Sequence, residues 1–155
     1  MMKLSNKERY ALQALFDLAF HRNAQPAQLK DIAVRQRIPA RFLEQIFQDL
    51  KRAGLVGSKR GPRGGYRLAR EPREICVGDV LRATSGPVAG FGSKRGKPHA
   101  PRDLREVTDA VLRDLADSVE RCFDAVTLED VCARGDALGI RYDSVRPRAG
   151  ARYAI

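Results

Sequence analysis

The chain has 155 residues, 43% of them hydrophobic, which suits one packed domain with a modest extension. Lysine and arginine total 29 against 19 acids, and the formal net charge of +10 points to a polyanionic partner, nucleic acid ahead of a membrane surface. No run approaches the roughly 20 apolar residues that span a bilayer, Met1-Met2-Lys3-Leu4-Ser5 lacks the apolar core of a secretion signal, and Cys76, Cys122 and Cys132 are too scattered for a disulfide framework; a cytoplasmic protein with no membrane partner is expected.

Ser5-Asn6-Lys7-Glu8 is a capping box, in which hydroxyl and carboxylate each satisfy an orphan amide at a helix start. Tyr10, Ala11, Ala14, Leu15, Leu18 and Ala19 then recur with helical spacing, predicting a first helix over residues 6–20. A break at Asn23 to Pro26 precedes a short second helix, with Leu29, Ile32 and Ala33 on one face and Lys30 and Arg35 off it. Arg37-Ile38-Pro39 makes a turn, with Pro39 suited to the first position of a third helix, where no amide donor is missed. There Leu43, Ile46, Phe47 and Leu50 form the apolar stripe, and Gly54 ends the helix because glycine enters the left-handed cap conformation without strain. Three helices with a tight turn before the third outline a helix-turn-helix unit.

Leu55-Val56 and Tyr66-Arg67-Leu68 read as short strands around Gly61-Pro62-Arg63-Gly64-Gly65, a loop whose composition marks a hairpin tip, so a wing follows the third helix. Between positions 51 and 73 stand Lys51, Arg52, Lys59, Arg60, Arg63, Arg67, Arg70 and Arg73 against one acid, Glu71, so this segment holds seven of the ten net charges. Like charges so concentrated repel unless an anion neutralises them, which is the footprint of a phosphate-binding edge. Opposite the apolar stripe of the third helix, Arg41, Gln45, Gln48 and Arg52 fall on one line, with Glu44 beside it. Glutamine can pair with the major-groove edge of adenine, arginine with guanine, and Glu44 can accept from the amino group of cytosine. A solvated helix face is the bland alternative; the basic wing beside it favours base readout.

Met2-Lys3-Leu4-Ser5, Arg9-Tyr10-Ala11-Leu12, Phe42-Leu43-Glu44-Gln45, Ala53-Gly54-Leu55-Val56, Arg60 to Ala69, Val77-Gly78-Asp79-Val80 and Thr127-Leu128-Glu129-Asp130-Val131 together resemble the Rrf2-type winged helix-turn-helix transcriptional regulators, from Met2 to about Ala133. The resemblance implies a mainly α fold with a small β-hairpin, a winged helix-turn-helix domain followed by a long helix that crosses its mate in a homodimer. It implies that the third helix enters the major groove of double-stranded DNA with Phe42, Glu44 and Gln45 near bases, and that Arg60 of the wing enters the minor groove. Lys59 and Arg63 are further candidate contacts, and where the family often has a third glycine this chain has Arg63: strained if the position needs a positive φ, a phosphate contact if it does not. Leu104, Val107, Val111, Leu115, Val119, Cys122 and Val126 step by three or four along one helix of roughly 20 residues. A small domain has no room to bury so long a seam, and a partner chain is its natural cover. The expected organisation is residues 1–83 for DNA binding, 84–102 as a basic loop, 103–135 for the dimerisation helix and a short following helix, and 136–155 as a basic tail.

Relatives that hold an iron–sulfur cluster place three cysteines in the loop before the dimer helix, and some add a histidine at its start. Here the loop from Gly86 to Pro101 contains no cysteine, and Asp109 falls where that histidine would stand. Clusters need three or four converging thiolates or similar soft ligands. Cys76, between Ile75 and Val77, reads as core, and Cys122 and Cys132 read as small hydrophobes in the seam and the last helix. The expectation is a regulator with no metal site and no cofactor. Its effector, a small molecule or a protein, stays unnamed. Lys94, Arg95, Lys97 and Arg102 leave the loop free to be disordered, to touch phosphates or to bind an anionic ligand. Nothing resembles a phosphate-binding P-loop, a nucleophile elbow or a Ser–His–Asp set, so no enzyme is expected. Two other readings stay open: a cluster or redox sensor with non-standard ligands, and a winged-helix adaptor for RNA or protein.

Overall fold

The computed structural model describes residues 4–20, 26–86 and 103–140. Its elements run α1 (Asn6–Phe20), α2 (Leu29–Gln36), α3 (Ala40–Arg52), β1 (Val56–Lys59), β2 (Gly65–Leu68), a 3-10 turn (Pro72–Glu74), α4 (Val77–Ser85), α5 (Leu104–Asp124) and α6 (Leu128–Ala137). This is a winged helix-turn-helix, mainly α with one antiparallel hairpin, followed by a long helix.

The capping box forms at the start of α1: the Glu8 amide donates to Ser5 Oγ at 3.2 Å, and the Ser5 amide donates to the Glu8 carboxylate. The buried face of α1 is built on Ala11, Ala14, Leu15 and Ala19, small enough for α2, α3, α4 and α6 all to pack on this one helix. Ile32 and Ala33, Leu43, Ile46, Phe47 and Leu50, then Leu55, Val56, Ile75, Val80, Leu128 and Cys132 complete the core. Burial of these apolar faces supplies most of the folding drive, at about 25 cal/mol per Å². The apolar stripe of α3 lies wholly inside it.

Two local features differ from the sequence expectation. Pro39 has φ −58° and ψ 127°, so its extended ψ makes it the residue before the helix and α3 begins at Ala40. Arg35, read as lying off the packed face of α2, instead reaches back to Asp17 of α1, whose side chain is fully buried. Its Nε and Nη2 donate to the two carboxylate oxygens at 3.0 and 2.6 Å, and Gln36 Nε2 adds a third bond at 3.0 Å. Periodicity had missed this pair because it scores apolar faces, and a buried carboxylate hides among charged residues.

Gly54, at φ +71°, ends α3 in the left-handed conformation expected of it. Arg37, at φ 54°, takes the same conformation in the turn between α2 and α3, and is the one non-glycine to do so among the described residues. α6 comes back onto α1, where Gly135 lets Phe16 approach: a Cβ there would stand 3.1 Å from the ring. In contrast, α5 buries none of its residues in the single chain.

Candidate nucleic-acid interface

Two elements make the candidate interface, and the core orients both. Because Leu43, Ile46, Phe47 and Leu50 face inward, the helical repeat turns Arg41, Phe42, Glu44, Gln45, Gln48 and Arg52 outward, and all six are exposed. Arg41, Glu44, Gln45 and Gln48 have no side-chain hydrogen bond or ion pair among the described residues, so their donors and acceptors are available to a ligand. Arg52 differs: Nη1 sits 3.1 Å from Asp49, which also holds Lys7 of α1 at 2.7 Å. An i,i+3 pair this exposed is worth only about 0.3–0.5 kcal/mol and yields readily to a phosphate.

Phe42 is 39% exposed at the start of α3, its ring edge-on to Tyr10 at 5.8 Å. Arg9 lies over the other ring of that pair, 5.6 Å from the Tyr10 centroid. The start of α1 therefore sits against the start of the exposed α3 stripe. From sequence, Tyr10 belongs to the packed face of α1 and Arg9 only to a motif; an aromatic in α1 and a second in α3 is too weak a signal to place them here without the fold.

The wing pairs Val56 with Leu68, Gly57 with Arg67, Ser58 with Tyr66 and Lys59 with Gly65. Two contacts fix it to α3 and a third fixes it to the segment before α2. The Tyr66 ring packs edge-on against Phe47 at 4.6 Å, Lys51 Nζ donates to Ser58 Oγ at 2.7 Å, and Tyr66 exchanges backbone hydrogen bonds of 2.8 and 2.9 Å with Ala27. The last of these adds a strand-like third rung with no signal in the sequence. It also explains Gly65, at φ 152°, since a Cβ there would lie 2.4 Å from the Ala27 carbonyl oxygen. At the tip, the Gly64 amide donates to the Gly61 carbonyl at 2.8 Å, and a Cβ on Gly64 would meet the Lys59 carbonyl at 2.3 Å. Arg63 needs no positive φ, so no glycine is required at its position.

Of the eight cations between 51 and 73, Lys59, Arg60, Arg63, Arg67 and Arg73 are exposed and without an ion pair or hydrogen bond among the described residues. Lys51, Arg52 and Arg70 are engaged with Ser58, Asp49 and the Glu74 carbonyl respectively. The uncommitted charge thus concentrates on the wing, beside the exposed stripe of α3. The sum is a cationic edge beside exposed hydrogen-bonding side chains.

The long seam of α5 stands out from this body. Leu104, Val107, Val111, Leu115 and Val119 are 86, 44, 50, 57 and 36% exposed, and Cys122 is exposed as well. Val126 continues the exposed row just past the helix end.

The thiols do not assemble. Cys132 is buried in the core, Cys122 lies on the open face of α5, and no three His, Cys, Asp or Glu side chains among the described residues could share a metal ion. Cys76 corrects its sequence reading. It is a helix cap in a polar cluster rather than core, accepting from the Asp79 amide at 3.3 Å and donating to Asp124 Oδ1 at 3.2 Å. Burial, with the Asp124 and Asp79 carboxylates beside it, pushes its thiol above the ordinary range, the wrong direction for a thiolate ligand. This donor set does not fit an iron–sulfur cluster. The loop at 87–102, with His99, and the tail at 141–155 lie outside the described residues. Among those described, no helix is long and apolar enough to cross a membrane.

Residues 4–134 match the family described as Rrf2, iron-dependent transcriptional regulator. The chain is 41% identical over 130 residues to the HTH-type transcriptional regulator IscR of Aliivibrio salmonicida, covering 84% of this chain and 77% of that protein. Among solved structures it resembles T. potens IscR, at 38% identity and a TM-score of 0.70 over 90% of this chain and 93% of the other. It also resembles CymR, the global cysteine regulator of B. subtilis, at 34% identity and a TM-score of 0.69 over 86 and 98%.

Proposed function

The chain belongs to the Rrf2 family of transcriptional regulators, and from that premise we propose that it is a sequence-specific repressor that binds double-stranded DNA as a homodimer and carries no iron–sulfur cluster. Residues 1–83 supply the DNA contacts and 103–135 the contact between protomers, with 84–102 and 136–155 as basic flanks. One observation carries the reading: the exposed Arg41, Glu44, Gln45 and Gln48 of α3 lie beside wing cations, and neither group has a side-chain partner among the described residues.

In this reading α3 enters the major groove. Arg41 and Gln48 address guanine and adenine edges, Gln45 a second adenine, and Glu44 accepts from a cytosine amino group. Phe42 offers an apolar edge to a thymine methyl. Arg60 enters the adjacent minor groove, where a narrow groove concentrates negative potential, while Lys59, Arg63 and Arg52 take phosphates. The protomers meet through Leu104, Val107, Val111, Leu115, Val119 and Cys122, which places two copies of α3 on one face of the duplex, as paired half-sites require. Function is regulation rather than catalysis, in the cytoplasm, under an effector that is a small molecule or a partner protein.

Arg60→Ala is expected to weaken binding to a duplex selected from a random pool by about 1–3 kcal/mol, measured by fluorescence anisotropy; unchanged affinity removes the wing from the minor groove. Absence of a cluster is tested by the visible spectrum and by iron and sulfide analysis of protein purified without oxygen. A colourless, iron-free dimer that binds the selected duplex is the expected result. A brown protein whose iron disappears on replacing Cys76, Cys122 or Cys132 by serine instead makes this a cluster sensor with unusual ligands. Tighter binding to structured RNA than to any duplex overturns the DNA reading.

A further inference from the structure

The long helix joins the winged-helix body at one end. α5 packs chiefly on α4, and α4 in turn rests on α1 and α3. At that junction the chain is pinned by backbone: the Val77 amide donates to the Val126 carbonyl at 2.8 Å, and the Leu128 amide to the Ile75 carbonyl at 2.9 Å. The far end of α5 is open, with Leu104 86% exposed. Mechanically α5 is an arm clamped at its C-terminal end.

A polar cluster sits on the clamp. Arg82 of α4 donates to Asp124 of α5 at 2.7 Å and to Asp79 of its own helix at 3.2 Å, and lies 3.9 Å from Glu120 of α5. Cys76 donates to the same Asp124 oxygen at 3.2 Å. Asp79 also faces Arg70, at 3.8 Å, just beyond the wing strand β2. Gly78 makes room for this meeting, since a Cβ there would lie 1.9 Å from Asp124 Oδ1. The group thus links the exit of the wing, the helix behind α3 and the arm through one guanidinium.

We propose that the Arg82–Asp124 contact, with Gly78 as the space it requires, is the latch that sets the angle of the dimer arm against the DNA-reading body and so determines which spacing of half-sites the protein accepts. Arg82 is a positioning residue; it touches no DNA. The inference rests on the homodimer reading above. Half-exposed ion pairs contribute little stability, about 0–1 kcal/mol each, so the cluster acts as a geometric stop. The leverage is large. At 21 residues and about 1.5 Å per residue α5 is about 31 Å long, so a tilt of about 6° at the clamp moves its free end by about 3.4 Å, the rise of one base pair.

The test uses the full chain and the palindromic duplex that the wild type selects from a random pool, remade with its centre shortened or lengthened by one and two base pairs. Arg82→Gln removes the latch; Gly78→Ala displaces Asp124 while keeping every charge and favouring the helix. Light scattering gives the assembly state, and anisotropy the affinity for each spacer. The wild type is expected to be a dimer that loses about tenfold or more in affinity per base pair of misfit, since adjacent half-sites must stay in register with the protein's symmetry. Both variants are expected to stay dimeric, to melt within a few degrees of the wild type and to retain affinity for their best spacer. Their discrimination between neighbouring spacers is expected to fall about fivefold or more. Folded, dimeric variants with the wild-type spacer profile overturn the latch alone. A wild type that is dimeric yet indifferent to spacing does so too. A monomeric wild type overturns the dimer reading, and the latch with it.

Discussion

Asp124 and Cys76 share one hydrogen bond and are displaced in opposite directions. Accepting from Arg82 holds the Asp124 carboxyl below its ordinary value, a shift that the Cys76 thiol reinforces and slight burial opposes. A depressed carboxyl contributes fully above its unfolded value of about 3.9 and loses that contribution as pH falls through the folded one. The difference in melting temperature between the wild type and Asp124→Asn is therefore expected to stay flat from about pH 5 to 8 and to shrink below about pH 4; a difference that changes near neutrality would assign the contact to another group. Arg82, Arg70, Asp79, Glu120 and Cys76 all face this site; the bond to Asp124 holds the Arg82 guanidinium charged, and burial pushes the Cys76 thiol up, away from neutrality. Cys76 stays a protonated donor at neutral pH. Peptide mapping after brief alkylation of the folded chain at pH 7.5 is expected to find Cys76 modified more slowly than free cysteine, because the thiolate is the nucleophile; modification at the free-thiol rate would show that the cluster opens readily.

At the scale of elements, α2 is tied to α1 by a buried ion pair as well as by packing. Asp17 is fully buried in its side chain and Arg35 is only 14% exposed, so deleting one partner leaves an uncompensated charge inside. Arg35→Ala is expected to cost about 3–5 kcal/mol, seen by denaturant melts, and a loss under about 1 kcal/mol would show that water reaches Asp17. The helices themselves were legible. α1 spans the residues its periodicity marked out, the apolar stripe of α3 is the buried one, and Gly54 stops that helix. These follow from rules within one turn of the chain. The wing was legible as a hairpin, but the strands extend further around the tip than Leu55-Val56 and Tyr66-Leu68 suggested, and the rung to Ala27 was invisible. Pairing of Ala27 with Tyr66 joins segments 39 positions apart, and the Ala27 side carries no strand pattern of its own.

For the whole molecule, the question is what covers α5. Five large apolar side chains on its seam are at least 36% exposed, while Leu15, Ile32, Leu43, Ile46, Leu50 and Leu55 of the winged-helix body are buried. A patch of this kind on a charged protein marks an interface. Leu115→Glu is expected to leave the far-ultraviolet circular dichroism of the body intact and to convert a dimer into monomers by sedimentation velocity, because Leu115 is 57% exposed in the single chain and contributes nothing to its core. A variant that sediments as the wild-type dimer would place the protomer contact on another face.

The sequence by itself determined the helices, the glycine stop, the hairpin, the concentration of charge on the wing and the seam on α5. All of these are set by spacing, composition or backbone freedom within one contiguous stretch of chain, and for that reason they can be read without the fold. Tertiary structure alone decided which polar side chains meet. Asp17 finds Arg35 across 18 positions, Arg82 finds Asp124 across 42 and Cys76 finds Asp124 across 48. Periodicity reports the face on which a residue lies, but not the element that packs against that face. Cys76, flanked by Ile75 and Val77, was therefore read as core, until the return of the chain after α5 set a carboxylate against its thiol.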